Sequence, residues 1–91
     1  MGVAARFGEN LVRFRKRAGL SQEELGLLSS LHRTEISLLE RGTRIPRIDT
    51  LVKLAGALSI PPAKLLEGID WTPGTTTSGN FSIAAGDPRS N

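Results

Sequence analysis

A chain of 91 residues forms one domain at most and buries only about 60% of its unfolded surface, which leaves little room for a deep catalytic pocket. With no cysteine and a single histidine, disulfide staples, thiolate zinc sites and imidazole metal clusters are excluded, so packing must supply the stability. The formal charge of +3, twelve Lys and Arg against nine Asp and Glu, permits a polyanionic partner without demanding one.

The opening residues MGVAARFGEN lack the apolar run of a signal peptide, and no segment approaches the roughly 20 apolar residues that span a bilayer. A soluble, cytoplasmic chain is therefore expected, with no membrane partner. From Ala5 to Ala18, the apolar positions Phe7, Leu11, Phe14 and Ala18 lie on one stripe of a first helix that ends at Gly19. Arg6, Asn10, Arg13 and Arg17 recur on its opposite side and read as a solvated polar face. Ser21 with Glu24 is a capping box opening a second helix over Gln22–Ser29. Ser29 and Ser30 make a short turn. Ile36 and Leu39 then give a narrow apolar stripe to a third helix, about Arg33–Arg41, closed by Gly42.

Pro46 makes TRIPR a loop. Leu51, Leu54, Ala55 and Leu58 repeat at helical spacing in a fourth helix, which Ile60-Pro61-Pro62 stops; Pro62 then begins a short fifth helix carrying Leu65 and Leu66. Beyond Gly68 the composition turns to Thr, Ser, Gly and Pro, and only Phe81–Ala85 alternates as a strand does. The expected fold is all-α: five short helices with a loose C-terminal tail.

The second helix, the turn and the third helix form an arrangement that can present the third helix to a DNA major groove. With Ile36 and Leu39 facing the core, Thr34, Ser37, Leu38 and Arg41 turn outward, and Arg33 lies at the edge of that face. An arginine fork there matches guanine O6 and N7, a hydroxyl can donate or accept, and Leu38 can touch a thymine methyl.

LSQEELGLLSSLHRTEISLLERG, followed by PRIDTLVKLAGALSI, resembles the phage-repressor and Cro-type helix-turn-helix regulators, often called XRE-like, over about residues 7 to 66. The matching positions include Leu20, Gln22-Glu23-Glu24-Leu25, Ile36-Ser37, Glu40-Arg41-Gly42, Pro46 and Leu51 through Leu58. The resemblance implies a compact phage-repressor-like DNA-binding domain over 5–68, with 69–91 as a tail that is flexible or contributes to dimerisation. It also implies that His32, Arg33, Thr34, Ser37 and Leu38 approach base edges or nearby phosphates, that Gln22 holds a phosphate through its amide, and that Arg44 touches the backbone. Arg15 and Glu40 occupy positions that the family often pairs, as a structural ion pair holding the first helix to the third. Arg17 adds a candidate phosphate contact.

Three departures stand out. Ser30 occupies a position where glycine is common, so the turn carries a positive φ or changes shape. His32 replaces the usual Ser or Thr cap, and Gly26 stands where alanine is usual, which lowers helix propensity unless close packing requires it.

Ser29, His32 and Glu35 can be imagined as nucleophile, base and orienter, but an exposed helix start offers no oxyanion hole, and enzyme activity is not expected. The same fold also serves antitoxins and adaptors; for such a protein-interaction module the apolar candidates are Leu27, Leu38, Ile69 and Trp71. The sequence is read as a sequence-specific regulator of double-stranded DNA, without cofactor, metal or evident small-molecule ligand. One reading helix covers too few bases, so a homodimer on a palindromic operator is expected. Leu65, Leu66, Ile69 and Trp71 are its candidate interface, and Phe81–Ala85 is a candidate strand for the partner's tail.

Overall fold

The computed structural model describes residues 1–84. Four α-helices, α1 (Val3–Arg17), α2 (Gln22–Ser29), α3 (Arg33–Glu40) and α4 (Ile48–Leu58), precede a 3-10 helix at Pro62–Leu66 and two antiparallel strands, β1 (Ile69–Thr72) and β2 (Asn80–Ile83). The apolar stripe of α1, Phe7, Leu11 and Phe14, meets Leu25 of α2, Ile36 and Leu39 of α3, Leu54 and Leu58 of α4, and Leu65 in a single core. Each fully buried side chain of this size contributes roughly 1.5–3 kcal/mol of transfer free energy, which the ordering of the chain largely offsets. Gly8 lets α1 approach the end of α3: a Cβ there would lie 2.6 Å from the carbonyl oxygens of both Leu39 and Glu40. No helix among the described residues is long and apolar enough to cross a membrane.

The expectation of five helices and a loose tail is corrected. The fifth helical segment is only a 3-10 helix, because the chain has just five residues between Pro61 and Glu67 in which to turn. A β-hairpin then takes the place of the tail, with the register Ile69↔Ile83 and Trp71↔Phe81. Apolar residues at alternate positions of each strand share one face of the hairpin; Trp71 and Phe81 stack edge-to-face with centroids 5.0 Å apart. The hydroxyls of Thr72 and Ser82 hydrogen-bond at 3.0 Å on the opposite face. The segment expected to join a partner's tail thus pairs with its own chain over Asn80–Ile83, and Ala85 lies outside the described residues.

The polar side of α1 is also corrected. Arg6 and Asn10 are buried, at 1% and 0% exposure, because the chain after α4 folds back across them. Asn10 Nδ2 donates to the carbonyls of Leu65 and Glu67, both at 2.9 Å. Arg13 pairs with Glu67 at 3.3 Å. The Arg6 guanidinium donates to the carbonyl of Ala84, just beyond β2. Arg6, Asn10 and Arg13 thus mark a second packed surface, one that binds backbone carbonyls and the Glu67 carboxylate rather than apolar side chains, while Arg17 stays exposed.

Candidate nucleic-acid interface

The capping box that opens α2 is formed: Ser21 Oγ accepts from the Glu24 N–H at 3.0 Å, and Glu24 Oε1 accepts from the Ser21 N–H at 2.8 Å. The bond from the Ser21 N–H, and after it the Ser21 hydroxyl, hold the Glu24 carboxyl below its ordinary range. Two devices then set how closely α3 follows. At Gly26, a Cβ would lie 2.6 Å from the Leu31 carbonyl oxygen, so the departure from alanine serves close packing at the turn. Ser30 takes the left-handed conformation, φ 59° and ψ 41°, which bends the chain from α2 into α3 at the cost a Cβ imposes there. Ser29 is buried, and its Oγ donates to the Leu25 carbonyl at 2.7 Å.

Ile36 and Leu39 are fully buried, and this orients the rest of α3. His32, Arg33 and Thr34 are exposed at its start, while Ser37 is half-buried. Leu38, expected to be exposed, is half-buried as well; its carbonyl accepts from the Thr43 N–H and hydroxyl, at 3.1 and 2.9 Å, as the loop after α3 turns back. His32 occupies the N-cap, but its imidazole makes no capping bond among the described residues, leaving the ring available to an outside partner. Arg44 pairs with Glu35 at 2.7 Å and remains half exposed. Arg17 is exposed beside the Phe14 ring, 5.6 Å from its centroid.

Behind this face, Arg15 grips Glu40 with two bonds, Nε to Oε2 at 2.6 Å and Nη2 to Oε1 at 3.1 Å, and donates from Nη1 to the Leu20 carbonyl at 2.9 Å. The side chains are 13% and 5% exposed. The hydrogen bond to Glu40 raises the Arg15 pKa above its ordinary value. Gln22 Nε2 donates to the same Glu40 Oε1 at 2.9 Å, a contact that nothing in the sequence pattern signalled. Also unnamed from sequence is Arg47, a largely exposed cation just before α4 that pairs with Asp49 at 3.2 Å; its place in the loop after α3 was the available signal.

The groups imagined as a hydrolytic triad are not joined: the Ser29 hydroxyl is committed to Leu25, and the Glu35 carboxylate to Arg44. Of the candidate dimer residues, Leu65 is withdrawn because it is fully buried in the core, and Ile69 is half-buried against that core. Leu66 and Trp71 are 42% and 54% exposed. Of the candidates for a protein-interaction face, Leu27 is 78% exposed, but Leu38 and Ile69 are half-buried.

Residues 11–65 match the family model described as Helix-turn-helix. The chain is 41% identical over 66 residues to an uncharacterized HTH-type transcriptional regulator, y4dJ, of Sinorhizobium fredii, covering 72% of this chain and 86% of the relative. Among solved structures, it is similar to the restriction-modification controller protein C.AhdI from Aeromonas hydrophila. That match has a TM-score of 0.67 and 42% identity, and covers 68% of this chain and 94% of the other. It is also similar to the P22 c2 repressor in complex with a synthetic operator, with a TM-score of 0.64 and 32% identity, covering 68% of this chain and 94% of that one.

Proposed function

Since the chain belongs to the helix-turn-helix family, we infer that its α3 enters the major groove of an operator and reads bases there. The protein is a DNA-binding transcriptional regulator. The observation that carries the finer reading is the division of α3: Ile36 and Leu39 are sealed in the core, while Arg33 and Thr34 are exposed at its first turn with His32 just before them. Arg33 offers a bidentate fork to guanine, and Thr34, Ser37 and His32 offer donors and acceptors to base edges or phosphates, with the half-buried Leu38 at the margin. Gln22, Arg44 and Arg17 meet the phosphate backbone and set the register of α3 on the duplex.

Two copies on a palindrome, with half-sites about 34 Å apart, give the selectivity that one short helix lacks. The exposed Leu66 and Trp71 support an interface on the side of the 3-10 helix and hairpin. Residues 5–68 form the reading unit, and the segment after them serves association. The exposure of Leu27 favours a second reading, an adaptor that binds a partner protein on the same fold.

Selection of bound sequences from a random duplex pool, repeated over a range of salt, tests these readings. DNA recognition yields a palindromic consensus, and affinity falls linearly in log–log form with salt. Arg33→Ala then costs roughly 1–3 kcal/mol on the selected site and relaxes preference at one base position. Indifference to every duplex in dilute buffer overturns the base-reading role of α3.

A further inference from the structure

Glu40 is placed to do more than anchor Arg15. It is the last residue of α3, its carboxylate is 5% exposed, and through Oε1 it reaches Gln22, the first residue of α2. That oxygen is shared: it accepts from Gln22 Nε2 at 2.9 Å and from Arg15 Nη2 at 3.1 Å, while Oε2 takes Arg15 Nε at 2.6 Å. A carboxamide nitrogen has two N–H groups in one plane. Spending one on a fixed carboxylate sets that plane and leaves the second N–H for an acceptor outside the protein. Gln22 is half-buried, so such an acceptor can reach it.

A glutamine that is already ordered loses less rotamer entropy when a ligand arrives, and a buried acceptor is an economical way to order it. The arrangement carries a hazard, because a bare carboxylate close behind a phosphate-binding amide would repel the phosphate. Arg15 answers it by neutralising Glu40 with two charge-assisted hydrogen bonds.

Building on the reading of Gln22 as a phosphate contact, we propose that Glu40 is a positioning residue for DNA binding, holding the Gln22 carboxamide toward the duplex while Arg15 cancels the charge that would repel it. The ion pair that joins α1 to α3 is thus also the support of a contact made by α2. Helix packing and backbone recognition share one carboxylate.

A double-variant cycle on duplex affinity tests this with the full chain. Its four members are the unaltered protein, Gln22→Ala, the paired replacement Arg15→Met with Glu40→Met, and the combination of all three. Replacing both charges together strands neither, so the folded state is expected to survive, as a urea titration in the binding buffer will show. If Glu40 acts through Gln22, the paired replacement and Gln22→Ala each weaken binding to the selected site and to random duplex by roughly tenfold. The combination is then no weaker than Gln22→Ala alone. Losses that multiply to about a hundredfold, or a folded paired replacement that binds like the unaltered protein, overturn the proposal. Should the paired replacement not fold, Glu40→Asp takes its place under the same criteria, since it keeps the charge opposite Arg15 but withdraws the carboxylate by one methylene. Failure of the unaltered protein to bind any duplex would remove the DNA-binding reading itself, a result distinguishable from failure of the cycle.

Discussion

Arg6 and Arg15 are both arginines of α1, both largely removed from water, and they are held in opposite ways. Arg15 faces α3 and shares its charge with a buried carboxylate through two bonds of 2.6 and 3.1 Å. Arg6 faces the end of the chain and gives its guanidinium to the backbone carbonyl of Ala84. Its acidic neighbour, Glu9, lies 3.7 Å away and is 57% exposed. The contrast separates two ways of burying a cation. Where the partner is a buried charge, each group stabilises the other and neither can be removed alone; where it is a carbonyl and a solvated carboxylate, removal strands no charge.

The sharpest way to break the comparison is to truncate each arginine and read stability from the midpoint of urea unfolding. Arg15→Met leaves Glu40 buried without its counter-ion and is expected to cost about 3 kcal/mol, most of it recovered when Glu40→Met is added. Arg6→Met frees the Ala84 carbonyl and the largely solvated Glu9 carboxylate, both of which can turn to water, so a loss of about 1 kcal/mol is expected. The change is local: amide exchange quickens in β1 and β2 and stays slow in α3. Equal losses at the two sites would show that burial of the guanidinium, rather than the nature of its partner, decides the cost.

A third variant probes the turn that brings Glu40 within reach of α2. Ser30→Gly relieves the left-handed backbone at φ 59° and should raise stability by about 0.5–1 kcal/mol without altering DNA preference. A fall in stability would mean that the serine makes a compensating interaction. The smallest expected effect concerns pH. Because the Glu24 carboxyl is held below its unfolded value by Ser21, the capping box contributes fully above the ordinary carboxylate range and is lost as pH falls through the depressed folded value. Glu24→Gln should flatten that part of the stability profile.

Much of the interface was legible in the sequence because its signals are local. The capping box, the apolar pair Ile36 and Leu39, and the glycine at 26 each act within a few residues, and the capping box with the Ser29-Ser30 turn sets the bounds of α2. The role of Gln22 was open to inference by resemblance, but its bond to Glu40 was not, since it depends on the two helices meeting at a particular distance. The exposure of Leu38 was misjudged for a related reason: helical spacing places a residue on a face, but how much of that face stays wet depends on how the rest of the chain packs.

The greater misreading concerned α1 and the tail. Arg6 and Asn10 fit a solvated stripe because their partners are carbonyls of Leu65, Glu67 and Ala84, up to 78 residues away, and a carbonyl leaves no trace in residue identity. Only half of the hairpin was visible: Phe81–Ala85 alternates as a strand does, but Ile69–Thr72 is four residues long and lies across a Gly, Thr and Ser connection, so nothing in the sequence announced that the two pair.

By itself, the sequence determined the α2-turn-α3 unit and which side of α3 is apolar, because helix periodicity and caps are short-range chemistry written in adjacent residues. Only the tertiary structure decided which polar side chains are buried, that Leu65 belongs to the core, and that one carboxylate serves both Arg15 and Gln22. Those outcomes depend on where distant backbone comes to rest, and that position is fixed by packing the whole chain rather than by any segment of it.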